Sequence, residues 1–210
     1  MDNEWYKEAN SLTVEKQWKA LYDKKMGLRP EGQPLWMRGN PVKTTSILRE
    51  KLKEIFKQLD IKTFSDIGCG DFLWLSLIDW STVNYIGYEI IQDLVDRNRK
   101  LFPKFQFEKL NIIDTIPPKV DMIFMRSVLV HTNFPNCFKI FKNIKKSESK
   151  YLMVSTCVRR RVNYEPICLM LQHQNLMRPP FNFPEPMILT EEMVHTDSDN
   201  YMGVWRIDEL

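Results

Sequence analysis

Phe64-Ser65-Asp66-Ile67-Gly68-Cys69-Gly70-Asp71 decides the reading of this chain, because a short apolar run passes here into two glycines one residue apart. Glycine lets the backbone turn tightly and lets a ligand approach main-chain atoms that a Cβ would shield. The stretch therefore reads as a strand over Thr63–Ile67, a cofactor loop of the nucleotide-binding type, and a helix over Phe72–Ile78 with Asp71 at its start. A dinucleotide loop of the G-x-G-x-x-G type needs a third glycine where Leu73 stands. A carboxylate at a helix start also competes with a pyrophosphate for the positive end of the helix dipole. Both features argue against a nicotinamide dinucleotide.

Outward from this loop, the next apolar run is Asn84–Glu89, whose terminal acid lies nineteen residues beyond Gly70. That distance suits one strand–helix–strand unit, and a carboxylate there can accept hydrogen bonds from both hydroxyls of a ribose. Further strands are expected at Phe105–Leu110, Val120–Arg126 and Tyr151–Val158, with helices at Ile91–Leu101 and Pro135–Lys145. Short apolar runs alternating with helices are the mark of an α/β domain with a mainly parallel sheet. A ligand carrying an ammonium and a sulfonium but no phosphate suits the loop, with Asp66 attracting the ammonium.

Towards the N-terminus, a helical stripe (Val14, Trp18, Leu21, Tyr22) runs within Leu12–Met26 and stops at Gly27 and Pro30. Residues 28–41 read as a loop around Leu35-Trp36-Met37-Arg38. A second helix is expected from a cap at Thr44, Thr45 or Ser46 to about Leu59, with Ile47, Leu48, Leu52, Ile55, Phe56 and Leu59 at the helical period. Towards the C-terminus, residues 159–186 are proline-rich and irregular, and strands at Met187–Val194 and Tyr201–Ile207 flank a polar turn, Thr196-Asp197-Ser198-Asp199-Asn200, as in an antiparallel hairpin.

Asp66-Ile67-Gly68-Cys69-Gly70, Tyr85-Ile86-Gly87-Tyr88-Glu89 and Asp121-Met122-Ile123-Phe124 resemble the successive motifs of the class I, Rossmann-like S-adenosylmethionine-dependent methyltransferases over about Thr63 to Leu210. The resemblance implies an α/β fold with a seven-stranded, mainly parallel sheet, an antiparallel last strand, helices on both faces and here a helical N-terminal extension. It implies S-adenosylmethionine as cofactor, with Asp66, Gly68, Cys69 and Gly70 around the methionine moiety and Glu89, followed by Ile90, on the ribose. Many members carry an Asp that receives the adenine amino group. Asn111, followed by Ile112, stands in that place, with Asp114 three residues on as a competitor.

Arg126 closes the fourth strand at the cofactor edge, and the stretch continues to Ser127 and His131. Family members often have an acid near Ser127, which this chain lacks, and a histidine near His131. His131 is the candidate general base, its ordinary pKa lying near neutrality. A histidine that caps or packs on the next helix is the competing reading. Trp36 and Arg38 are candidates for folding over the cofactor, with Trp36 near the sulfonium by cation–π attraction or merely pinning its loop. Arg178–Pro186, with Phe181 and Phe183, forms either an acceptor wall or a cover for the sheet.

The 30 Lys and Arg against 27 Asp and Glu give a net charge of +3, too weak to argue for nucleic acid. Arg159-Arg160-Arg161 is either a contact for an anion or a solvated loop. The four cysteines lack C-x-x-C spacing, Met1-Asp2-Asn3-Glu4-Trp5 does not read as a basic region followed by an apolar stretch, and no run approaches the ~18 apolar residues of a membrane span. Together these features lead us to expect one methyltransferase domain in a reducing cytoplasm, without metal or membrane. It is divided into an N-terminal extension and lid (1–60), a cofactor core (61–158), an acceptor-side insert (159–186) and a closing hairpin (187–210). The expected acceptor is a small molecule, sugar-containing or phosphorylated. A non-catalytic activating subunit and an RNA or protein methyltransferase are the alternatives, and oligomeric state is not legible.

Overall fold

The computed structural model describes residues 13–26, 41–166, 171–192 and 199–210. Helix α1 (Val14–Met26) is followed by the short α2 (Pro41–Thr44) and by α3 (Ser46–Gln58). In α3 the buried residues Leu48, Leu52, Ile55 and Phe56 recur at i, i+4, i+7 and i+8, one apolar stripe of a 3.6-residue period. Thr45 precedes this helix, but its side chain does not cap the backbone; its hydroxyl accepts from Arg49 Nη1 at 2.8 Å instead. A buried hydroxyl at the junction of two helices finds a side-chain partner rather than a free amide.

Seven strands then form one sheet in the order β3-β2-β1-β4-β5-β7-β6. They are β1 (Thr63–Ile67), β2 (Asn84–Glu89), β3 (Gln106–Lys109), β4 (Met122–Met125), β5 (Tyr151–Cys157), β6 (Ile188–Glu191) and β7 (Asn200–Arg206). The first five are parallel, and β7 runs antiparallel to both β5 and β6. All four residues of β4 are buried, as parallel strands covered on both faces require. The α/β architecture, the seven strands and the antiparallel strand after β6 are as the sequence led us to expect. The expected polar turn of that hairpin lies partly outside the described residues.

Helices α4 (Gln92–Leu101) and α5 (Phe134–Lys146) complete the crossovers. Asn133 caps α5, its side chain accepting from the Asn136 amide at 3.0 Å, and Pro135 sits in the first turn. One apolar cluster, with Leu52, Phe64, Phe72 and Phe107, covers one side of the sheet; a second, with Ile123, Ile140, Leu176, Phe181 and Trp205, covers the other.

The helix expected over Phe72–Ile78 does not form; a single 3-10 turn, Leu75–Leu77, stands in its place. Phe72 adopts φ +58, a left-handed conformation that breaks a helix at its first turn. Packing explains the choice, because the Phe72 ring lies 4.7–5.2 Å from the rings of Tyr85, Phe102, Phe105 and Phe107. Asp71 is therefore not at a helix start. Its carboxylate accepts from the Leu73 amide at 3.4 Å in a local turn, so the dipole argument drawn from the sequence does not apply.

The strand order reverses between β1 and β4, and ligands in open parallel sheets bind outside the carboxyl ends of strands at such a point. Asp121 fixes the opposite edge. Burial would raise its carboxyl, but hydrogen bonds from Lys150, from the Lys62 and Thr63 amides and from the Thr63 hydroxyl outweigh it and hold the group at about 2.

Candidate active site

A cavity of about 540 Å³ opens at the carboxyl ends of β1, β2 and β4. It gathers Asp66, Gly68, Cys69, Gly70, Glu89, Ile90, Asn111, Ile112, Arg126 and His131, ten of the twelve residues singled out in the sequence. Trp36 and Arg38 lie outside the described residues. Among the described residues no helix is long and apolar enough to cross a membrane.

The loop after β1 is held from the β2 side. Tyr88 O accepts from the amides of Gly68 and Cys69, at 2.8 and 3.1 Å. Gly68 has φ +77, and a Cβ there would stand 2.6 Å from Val128 Cγ2, so both conformation and space require glycine. Gly70 has φ +57, and its carbonyl accepts from Asn98 Nδ2 at 2.7 Å. Glu89 spans the gap between the two motifs. One carboxylate oxygen accepts from the amides of Ile90 and Ile91 at 2.8 and 3.3 Å, the other from Gly70 at 3.2 Å. The acid read as a ribose ligand thus also ties the glycine loop to β2.

Asp66 is 2% exposed and accepts from Tyr85 Oη at 2.8 Å. Burial pushes its carboxyl up to about 7, the nearby Glu89 adds to this, and the tyrosine bond and Arg126 oppose it. Burial likewise raises Glu89, against its three amide bonds. Both carboxyls thus favour a cationic ligand that would restore their ionised forms.

Asn111 lines the cavity, with its Oδ1 accepting from the Ile113 amide at 3.1 Å and its Nδ2 donating to Asp114 at 2.8 Å. Asp114 is exposed and does not line the cavity. His131 ends a 3-10 turn (Leu129–His131), and its ring stands edge-on to Trp18, centroids 5.2 Å apart. Helix α1 covers the cavity with Val14, Trp18 and Leu21.

The wall beyond Arg126 was not anticipated. Arg126 lies with its guanidinium carbon 5.2 Å from the Trp74 ring centroid and its Nε 3.0 Å from Glu192 Oε1, the two side chains 12% and 3% exposed. Ser127, at φ +58, donates its hydroxyl to the same Glu192 oxygen at 3.3 Å. The acid missing at Ser127 is thus brought to that place by residue 192. His173 and Asn200 face the same cavity, His173 Nε2 and Asn200 Nδ2 being 3.5 Å apart. Strand alternation could have found Glu192, which follows β6 on the same face as the buried Thr190. No local pattern marks His173.

Two other groups lie away from the cavity. Arg159 pairs with Asp199 at 2.9 Å and Arg160 donates to Gln172 at 3.2 Å, and neither lines it. Phe181 packs on Phe134, Phe138 and Phe141, and Phe183 on Phe141 and Trp205, so these aromatics cover α5 and the sheet.

No protein-family model matches the chain, and no curated protein matches it in sequence. Among solved structures, it is similar to an S-adenosylmethionine-dependent methyltransferase from Clostridium acetobutylicum at 9% identity and TM-score 0.55, over 91% of this chain and 98% of that one. It is similar to TehB from Haemophilus influenzae at 16% identity and TM-score 0.53, over 75% and 61%. The methyltransferase domain of bacterial CtHen1 aligns at 16% identity and TM-score 0.47, over 52% of this chain and 64% of that one. The chain therefore has the class I methyltransferase fold.

Proposed function

We propose that this chain binds S-adenosylmethionine in the cavity at the β1/β4 switch point and transfers the methyl group to a small-molecule acceptor. The observation that carries this reading is the charge of the wall. Asp66 and Glu89, from adjacent strands, face a space whose single Lys or Arg among the described lining residues is Arg126, already beside Glu192. A pyrophosphate would find neither a helix N-terminus after β1 nor a spare cation there. An ammonium and a ribose find carboxylates, and an adenine finds Ile90, Leu110 and Ile112.

Bound there, S-adenosylmethionine supplies a methyl group on a sulfonium, which an acceptor displaces in line. The protein's share of such a reaction is alignment and, for a protonated acceptor, proton removal. Asp66 takes the ammonium, Glu89 the ribose, and Asn111 with Ile112 the adenine edge. Val14, Trp18 and Leu21 of α1 close the cavity against water, in keeping with residues 1–60 as a lid. The same reading treats residues 1–210 as one methyltransferase domain and places it in the cytoplasm, where the buried free thiols of Cys69, Cys137 and Cys157 persist.

The test is thermal. Saturating S-adenosylhomocysteine should raise the melting temperature, as a ligand selective for the native state must. An unchanged melting curve with both S-adenosylmethionine and S-adenosylhomocysteine would end this reading, and with it that of an activating subunit that binds cofactor.

A further inference from the structure

Arg126 and Glu192 form a buried ion pair in the wall of a cavity, far apart in sequence and each one residue past the end of a strand, β4 and β6, that flanks the β5/β7 pair. Removing two charges from water costs several kcal/mol per ion and is weak as a source of stability. Here the pair is further elaborated. Ser127 holds Glu192 while its own backbone, at φ +58, is strained and its amide donates to Ser155 Oγ at 2.9 Å. Strain of this type persists where surrounding structure enforces it, commonly at functional sites.

His173 completes the same wall. The segment that carries it is fixed on both sides, with the Gln172 amide donating to Val130 O at 2.7 Å and the Cys157 amide donating to Gln174 O at 2.8 Å. Asn200 of β7 contacts its ring. The charged groups whose fields reach it are Glu192 beyond β6 and Arg160 beyond β5; burial, joined by the Arg160 cation, outweighs Glu192 and keeps the imidazole below its usual pKa.

We infer that Arg126, Ser127, Glu192 and His173 form the acceptor subsite, and that it takes an uncharged hydroxyl compound whose proton His173 receives. This rests on the cofactor reading above. The guanidinium and carboxylate cancel, so the wall offers no net charge to hold a phosphate or an ammonium, yet it offers donors and acceptors to a hydroxyl. In the reaction His173 takes the hydroxyl proton on its unprotonated nitrogen. The acceptor oxygen then forms a bond to the methyl carbon as the carbon–sulfur bond breaks, its electron pair remaining on sulfur. The imidazolium afterwards releases its proton to solvent.

The test uses two defined ligands, S-adenosylhomocysteine and sinefungin, whose extra amine stands where the methyl group would project. Calorimetry on the full chain should show Glu192→Gln shifting the ratio of affinities against sinefungin, and Arg126→Gln shifting it in favour, each by at least about tenfold. The double variant Arg126→Gln/Glu192→Gln should return the ratio to within about threefold of wild type, and keeps the test open if a single variant, left with an unpaired charge, fails to fold. In a protein that binds S-adenosylhomocysteine, a folded single variant with the wild-type ratio overturns the subsite. A double variant that keeps a tenfold shift overturns it as well. A wild-type preference for sinefungin above about 100-fold would mean a wall built for an ammonium, and overturns the hydroxyl assignment. Failure of S-adenosylhomocysteine itself to bind instead ends the cofactor reading. As a second readout, the proton resonance of His173, assigned against His173→Gln, should report a neutral ring at pH 7 in the S-adenosylhomocysteine complex. A ring still protonated there removes the base and overturns the proton step.

Discussion

The two ends of the cavity are built in different ways. The proposed cofactor end comes from two consecutive strands and their turns, Asp66 to Gly70 and Tyr85 to Ile91, and is fastened through backbone amides to Tyr88 O and Glu89. The proposed acceptor end draws Arg126, His173, Glu192 and Asn200 from four separate segments, which meet one another through side chains. A site made from local backbone geometry tolerates little variation in its loop, whereas one made from distant side chains can change by single substitutions. Changes at the first end should therefore act on affinity and folding together, and changes at the second on turnover or ligand choice.

The largest effect expected is on rate. His173→Gln keeps a polar side chain of similar reach but removes the base, and should lower methylation by ~10²–10⁴, the usual share of a positioned proton acceptor. Affinity for S-adenosylhomocysteine should stay near wild type. Steady-state turnover beside calorimetry checks both, and equal losses in the two would erase the division between the ends.

Next comes Glu89→Ala, which deletes the proposed ribose contact and leaves the Gly70, Ile90 and Ile91 amides without their acceptor. Hydrogen bonds to charged groups contribute about 1.5–3 kcal/mol each, so one lost ligand bond alone should weaken binding by roughly 10- to 100-fold. Unlike the acceptor-end variant, this one should also melt lower without ligand. Glu89→Gln, able to accept with one oxygen, should recover part of both losses. A variant that melts normally would mean that the three amides find water or another partner.

The difference between the ends also explains what could be read in the sequence. Thr63–Ile67 and Asn84–Glu89 were legible to the residue because apolar runs, glycines and a terminal acid lie within one strand–turn–strand unit. The helix over Phe72–Ile78 was misread because apolar residues at helical spacing were claimed by the aromatic cluster around Phe72, a tertiary preference that overrides local propensity. Glu192 and His173 were invisible for another reason: neither has a chemical neighbour in sequence, and chain reversal through β6 and β7 creates their setting. Leu189, exposed in β6, and Glu192, buried just beyond its end, even invert the hydrophobic pattern expected there, the type of local conflict expected at a functional site.

A third prediction uses pH. Asp66 titrates at about 7 in the free protein, against an ordinary value of 3.8, so folding favours its protonated form. Its contribution to stability is therefore present below about pH 4 and is lost as pH rises through 7. Binding runs the other way, because the ammonium needs the carboxylate. If only the ionised form binds, affinity for S-adenosylhomocysteine should fall about tenfold from pH 8 to pH 6, following the ionised fraction. Asp66→Asn should bind weakly with no such slope. A flat wild-type profile would mean that Asp66 does not face the ammonium.

The smallest effect belongs to His131, which the sequence offered as the base and whose ring in the structure stands edge-on to Trp18 of the covering helix. Aromatic pairs of this geometry contribute about 0.5–1.5 kcal/mol beyond buried area. His131→Ala should accordingly loosen α1 over the cavity and weaken S-adenosylhomocysteine by a few-fold, with turnover at saturating cofactor changed no more than that. His131→Phe, which keeps a ring but cannot take a proton, separates the two roles. It should restore affinity if His131 packs, since the edge-on contact with Trp18 needs no titratable nitrogen. A folded His131→Phe with normal affinity and a rate reduced by ~10² or more would make His131 the proton acceptor. The base would then sit on the turn after β4, and His173 would be left to orient the acceptor.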